Sequence, residues 1–299
     1  MDNPALTLGL AMALGMISQV IARKFHLPGI VVLLASGVIF GPDGLSWIQP
    51  SSLGPALQII VGFAVAVILF EGGMNLRISR IKREELAIRG LITIGALITL
   101  IGGTLAALLI LGWDFRTSIL FGTLIIVTGP TVITPLLKRV RLQHGVSTVL
   151  EAEGILLDAI GAIVAVVALE IALSPSGLSF IKGLFHIISR LTVGTILGIA
   201  GGGLLSLLFR IRKLIPEGLE NVFILSWVFA LFQLANTASP ESGIAAVTIA
   251  GMTIGNSKTY IQRELLEFKE QLTVLMIGML FILLAADVRI TDIQLLGLK

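Results

Sequence analysis

Apolar stretches of about twenty residues, parted by short polar turns, recur from one end of the chain to the other. The pattern predicts about ten membrane-spanning helices, at 5–22, 28–48, 55–75, 88–111, 117–137, 146–172, 184–209, 219–236, 242–256 and 271–288. Gly41-Pro42-Asp43-Gly44 is a strong turn signal. Gly194, Gly198 and Gly202 recur every fourth residue, a stripe that lets another helix come close. The fifth span is interrupted at its middle by Thr128-Gly129-Pro130-Thr131.

The polar residues sharpen this picture. One set of alternate loops holds Arg23, Lys24, the group Arg77 to Arg89, Lys138 to Arg141, Arg210 to Lys213, and Lys258 to Lys269. The other loops hold Arg116, Lys182, Arg289 and Lys299, and Arg190 lies inside a span. Positive charge marks the cytoplasmic side, so the first set is expected there and the N-terminus outside. Composition agrees with the spans: 56% of residues are hydrophobic and 13% charged, with a mean hydropathy of +1.02. An all-α polytopic membrane protein follows. Zero cysteines exclude disulfides, thiolate metal sites and cysteine nucleophiles.

Candidate chemistry lies where the fifth and sixth spans meet. Their centres fall near Val127 and Ala159, which sets Thr128 and Asp158 at one depth near the bilayer midplane. Pro130 lacks an N–H and crowds the turn before it, and Gly129 adds freedom, so backbone groups are released there. Inside hydrocarbon these must be met by protein, water or an ion. An ionisable residue such as Asp158 at the bilayer centre is costly and functional by default. Freed carbonyls beside a carboxylate suit a small monovalent cation, and broken helices at mid-membrane recur in ion-coupled transporters. Glu151 shares the face of Asp158 about 10 Å away, whereas Glu153 points toward another helix. Glu71 lies near the inner end of the third span.

Four stretches carry a resemblance: LPGIVVLLASGVIFGPDG at 27–44, FEGG at 70–73, the pair from TGPT to EAEGILLD at 128–158, and SGIAAVTIAGMTIGN at 242–256. In these the chain resembles the monovalent cation:proton antiporters, most of all the sodium/proton exchanger branch. The resemblance implies an inverted-repeat fold with a dimerisation panel, a core that moves like an elevator, and a crossing of two broken helices. It implies that Asp158 alternately binds proton and cation, that Thr128 contributes to the same site, and that Glu71 assists through water. Glu153 matches a structural glutamate paired with an arginine on a late helix. The chain departs from the branch at Leu157, Gly129 and Gly154, where asparagine, aspartate and serine are usual, so polar ligands are thinned. One midplane carboxylate implies one-for-one, electroneutral exchange. Counting helices against the family implies a partial chain, with the second broken helix and the arginine facing Glu153 beyond Lys299.

The expectation is therefore a single, partial exchanger domain over 1–299 in the cytoplasmic membrane, trading Na+ or K+ for H+ by alternating access. It calls for no cofactor, no enzymatic step and no nucleic acid. Its partners are the cation, the proton, the lipid bilayer and a second copy in a homodimer. The alternative is a non-transporting membrane scaffold or assembly subunit.

Overall fold

The computed structural model describes residues 3–129, 142–173, 180–211, 215, 216, 218–257 and 262–289, and among these every regular element is helical. Besides a short 3-10 helix at Pro50–Leu53, in chain order they are α1 (Pro4–Lys24), α2 (Gly29–Phe40), α3 (Ala56–Asn75), the single turn α4 (Ile78–Ile81), α5 (Glu85–Leu109), α6 (Phe115–Leu124), α7 (His144–Leu173), α8 (Phe180–Arg210), α9 (Glu220–Ala238), α10 (Ser242–Gly255) and α11 (Gln262–Asp287). Setting α4 aside, each of the ten predicted spans has a helix. Seven are long and apolar enough to cross a membrane, making this a multi-pass membrane protein. The other three, α2, α6 and α10, have 12, 10 and 14 residues. At 1.5 Å per residue they fall short of a hydrocarbon core of about 30 Å.

The differences from expectation have local causes. Prediction carried the second span through to residue 48, but α2 stops at Gly41, where Pro42 cannot donate and Ser46 takes a positive φ of 56°. Asn3 starts α1 by accepting from the backbone N–H groups of Ala5 and Leu6, with Pro4 at the first helical position. Inside α5 a π turn covers Leu91–Gly95, which the sequence did not announce. It has a use. In unbroken α geometry Ile88 and Ala107 would lie about 100° apart, and the wider turn takes back roughly a quarter revolution. Ile88 and Ile92 thus meet α7 on nearly the same side as Gly103 and Thr104 meet α6.

The chain divides into two compact units. The first comprises residues 1–68 and 263–299, with α1, α2, most of α3 and nearly all of α11. Small residues let its helices touch backbone to backbone. A Cβ on Gly15 would lie 2.7 Å from the Gly278 carbonyl carbon, and one on Gly37 would lie 2.8 Å from the Ile282 oxygen.

The second unit, residues 69–262, runs from the last turns of α3 to α10. Its most extensive pairing is α8 with α10. Here the predicted glycine stripe finds its partner. Cβ atoms on Gly194, Gly198 and Gly202 would stand 2.6–2.8 Å from the carbonyl oxygens of Ser242, Ala246 and Ala250. The match of four-residue spacings seats the α10 backbone against α8, with Ala245, Ile249 and Thr253 beside the same glycines. Eleven of the fourteen α10 residues are buried, and its glycine, alanine and threonine content makes that enclosure feasible.

Candidate ion-binding site

The site is built on α7, thirty residues rich in alanine, leucine, isoleucine and valine. Buried positions lie on all its sides between Ala152 and Val167, as expected of a helix enclosed by other helices. Asp158 lies midway along it and is half-buried. Among the described residues its carboxylate has no hydrogen bond and no ion pair.

The break in the fifth span comes earlier than predicted. Asp114 caps α6, accepting from the N–H groups of Arg116 and Thr117, and the helix ends at Leu124. Ile125 and Ile126 form a turn, and Val127, Thr128 and Gly129 follow outside any helix. Four successive β-branched residues weaken the helix before the glycine is reached. Pro130, the other half of the predicted break, lies outside the described residues, as does Thr131.

This non-helical segment rests on α7. The Thr128 hydroxyl donates to Glu153 Oε1 at 2.7 Å. One residue earlier, Val127 lies where a Cβ on Gly161 would come within 2.7 Å of its side chain. Glu153 and Gly161 are about 12 Å apart along the axis, and Asp158 lies between them. The break and the carboxylate therefore share one level, as counting from the sequence indicated. The hydroxyl spends its hydrogen on Glu153 and keeps its oxygen lone pairs for another partner. All the donors here are oxygen, the ligand type that suits hard cations. Among the described residues no three of His, Cys, Asp and Glu gather as a metal-ligand cluster.

Glu71 is half-buried near the end of α3. The next residue, Gly72, faces Ile155, one turn of α7 before Asp158, with a Cβ contact of 3.4 Å. This end of α3 is fixed on α10. A Cβ on Gly73 would collide with the Thr248 carbonyl, one on Gly251 with the Phe70 carbonyl and one on Gly255 with the Met74 carbonyl. Three more bonds close the junction. Asn256 Nδ2 donates to the Leu76 carbonyl at 2.8 Å, Asn256 Oδ1 accepts from Ile78 N at 2.9 Å, and Arg77 Nη1 donates to the Gly255 carbonyl at 2.9 Å.

Sequence reasoning missed this junction, although Gly251 and Gly255 repeat the four-residue spacing of the stripe it did single out. It also did not foresee that Glu153 accepts from the Thr128 hydroxyl; the arginine expected opposite Glu153 lies, on that expectation, beyond Lys299 and outside the described residues. Glu151 accepts a 3.3 Å bond from the Ser147 hydroxyl one turn before it. Gly154, where a serine is usual, is buried.

Known proteins match both the sequence and the fold. The family described as sodium/hydrogen exchanger, transmembrane, matches residues 9–298. The K(+)/H(+) antiporter NhaP2 of Shewanella oneidensis is 30% identical, with 96% of this chain and 50% of that protein covered. Na(+)/H(+) antiporter 1 of Methanocaldococcus jannaschii is 27% identical, with 96% of this chain and 69% of that protein covered. The structure of the sodium proton antiporter MjNhaP1 from the same organism superposes with a TM-score of 0.83 at 24% identity. It covers 96% of this chain and 71% of its own. The chain spans about half the length of the Shewanella relatives it matches. With a family match over nearly its whole length, the chain belongs to the transmembrane sodium/hydrogen exchanger family.

Proposed function

We propose that residues 1–299 form part of a single exchanger domain that trades a monovalent cation for a proton by alternating access, with Asp158 as the shared binding group. The observation that carries this reading is a half-buried carboxylate without a partner among the described residues, level with a non-helical segment on the same helix. A buried carboxylate in that setting must be protonated or cation-bound to offset its desolvation. Proton and cation then compete, and each displaces the other as the site opens to alternate sides. Thr128 supplies a neutral oxygen ligand, Gly129 and Pro130 supply the break, and Glu153 orients the threonine. Glu71 assists the ion through water.

One carboxylate carries one charge per half-cycle, so the exchange is one-for-one and electroneutral. Relatives are named for potassium/proton and for sodium/proton exchange, and both cations belong in the test. The protein acts in the cytoplasmic membrane as a homodimer with its N-terminus outside, and the cycle calls for no cofactor and no bond-making step.

In sealed vesicles carrying a pH gradient, added Na+ or K+ should dissipate the gradient through the wild-type protein. Asp158→Asn should abolish that dissipation for both ions. Equal exchange by the variant overturns the assignment.

A further inference from the structure

Between α3 and α5 the chain forms a strap that the exchange site does not use, Arg77-Ile78-Ser79-Arg80-Ile81-Lys82-Arg83-Glu84-Glu85-Leu86-Ala87-Ile88-Arg89. One side of it is anchored. Ile81 and Ile88 pack with Leu76 against Ala152 and Ile155 of α7. Arg77 and Ile78 are tied to the end of α10 through Gly255 and Asn256.

The other side is open. Arg80, Lys82, Arg83 and Arg89 are exposed, and their side chains form no ion pair or hydrogen bond among the described residues. Glu84 does not neutralise them, because it is turned to the first turn of α7, where a Cβ on Gly145 would lie 2.9 Å from its Oε1. A carboxylate is favoured there by the helix dipole. Glu85 is left as the exposed carboxylate of the strap. Beside the cations, Leu86 is 87% exposed and Ile78 41%.

Bare cations next to bare aliphatic side chains, at the ends of two apolar helices, match the layered chemistry of a bilayer surface. We propose that this strap binds anionic phospholipids, with Arg80, Lys82 and Arg83 holding headgroup phosphates and Ile78 and Leu86 resting against the acyl chains. Because the anchored side lies on Ala152 and Ile155, bound lipid also steadies the α7 segment just before Asp158. The lipid site does not depend on the exchange reading and stands if that reading fails.

The test is retention of phosphatidylglycerol against phosphatidylcholine by the full chain in detergent, read by native mass spectrometry, with unfolding temperature as a second readout. Wild type should prefer phosphatidylglycerol and unfold at higher temperature with it. Arg80→Gln/Lys82→Gln/Arg83→Gln should weaken phosphatidylglycerol retention roughly 100-fold, about five-fold per charge removed, with phosphatidylcholine binding unchanged. Arg80→Lys/Arg83→Lys should keep the preference. Should the triple variant fail to fold, Lys82→Gln alone should show the five-fold loss. Equal preference in wild type and the glutamine variants overturns the proposal. So does equal protection by inorganic phosphate alone, which would make the patch a free-anion site.

Discussion

Asp158 on α7 and Arg190 on α8 are both ionisable residues set deep in apolar helices, and their surroundings differ sharply. Arg190 Nη2 donates to Glu170 Oε1 at 2.7 Å, with side chains 5% and 42% exposed. The other terminal nitrogen, Nη1, is buried without a hydrogen bond among the described residues. Asp158 has no partner among the described residues and lies beside a segment released from its helix. A charge paired within the protein has little left to offer a ligand. The lone carboxylate does. Arg190 therefore reads as a brace between α7 and α8, and Asp158 as the carboxylate left open for the proposed ion.

Substitution at the two places should separate the two roles. Asp158→Asn should remove exchange and leave the unfolding temperature no lower than that of wild type. Glu170→Gln should do the reverse, keeping exchange and costing roughly 1–3 kcal/mol, below the 3–5 of a sealed pair because Glu170 is partly exposed. Replacing both members, Arg190→Leu with Glu170→Leu, should recover most of that loss. Loss of exchange in Glu170→Gln with stability intact would erase the distinction between brace and site.

The next effect concerns how Glu71 is held. Gly251→Ala drives a Cβ into the Phe70 carbonyl, beside Glu71. It should cost about 1–3 kcal/mol and lower exchange as well. Gly203→Ala on α8 meets nothing within 4 Å, so it should be neutral or stabilise by up to about 1 kcal/mol through helix propensity. Thermal unfolding of the two variants side by side checks this pair.

A smaller change is expected at Thr128, the neutral member of the site. Thr128→Val removes the hydroxyl and its bond to Glu153, and should raise the cation KM roughly three- to ten-fold at nearly constant kcat, as fits the loss of one bond of about 1 kcal/mol. Thr128→Ser should restore it. A fall in kcat with KM unmoved would assign Thr128 to the transition between states instead.

The smallest effect belongs to a carboxylate at a helix end. The Thr117 hydroxyl, aided by the Thr117 and Arg116 backbone N–H groups, holds the Asp114 carboxyl below its ordinary value. With the folded pKa depressed, the stabilisation is fully present above the ordinary value and fades as pH falls through the folded one. Asp114→Asn should thus lower the unfolding temperature slightly near neutrality, where the carboxylate's contribution is fully present, and flatten its decline on the acid side.

Much of this was legible in advance. Asp158 stood out because placing a carboxylate within a long apolar run is costly, and its level with Thr128 followed from counting. The Gly194, Gly198 and Gly202 stripe announced a close helix neighbour without saying which one. Arg190 was visible as a charge inside a span, but its partner lies twenty residues earlier on the preceding helix. The break includes Thr128 and Gly129 as expected but starts earlier, at Ile125, because four successive β-branched residues weaken the helix before the glycine.

By itself the sequence determined roughly where the helices of the described residues lie and which carboxylate stands within a long apolar run. Hydropathy, helix period and proline chemistry act over consecutive residues, so those features can be read locally. Only the tertiary structure decided that α10 is the helix seated on the α8 stripe and on the end of α3. It alone laid Val127 and Thr128 along α7 between Glu153 and Gly161, and left Asp158 without a partner among the described residues while Arg190 received one. Each of those choices joins residues far apart in the chain, and complementary surfaces meet only once the whole path of the backbone is set.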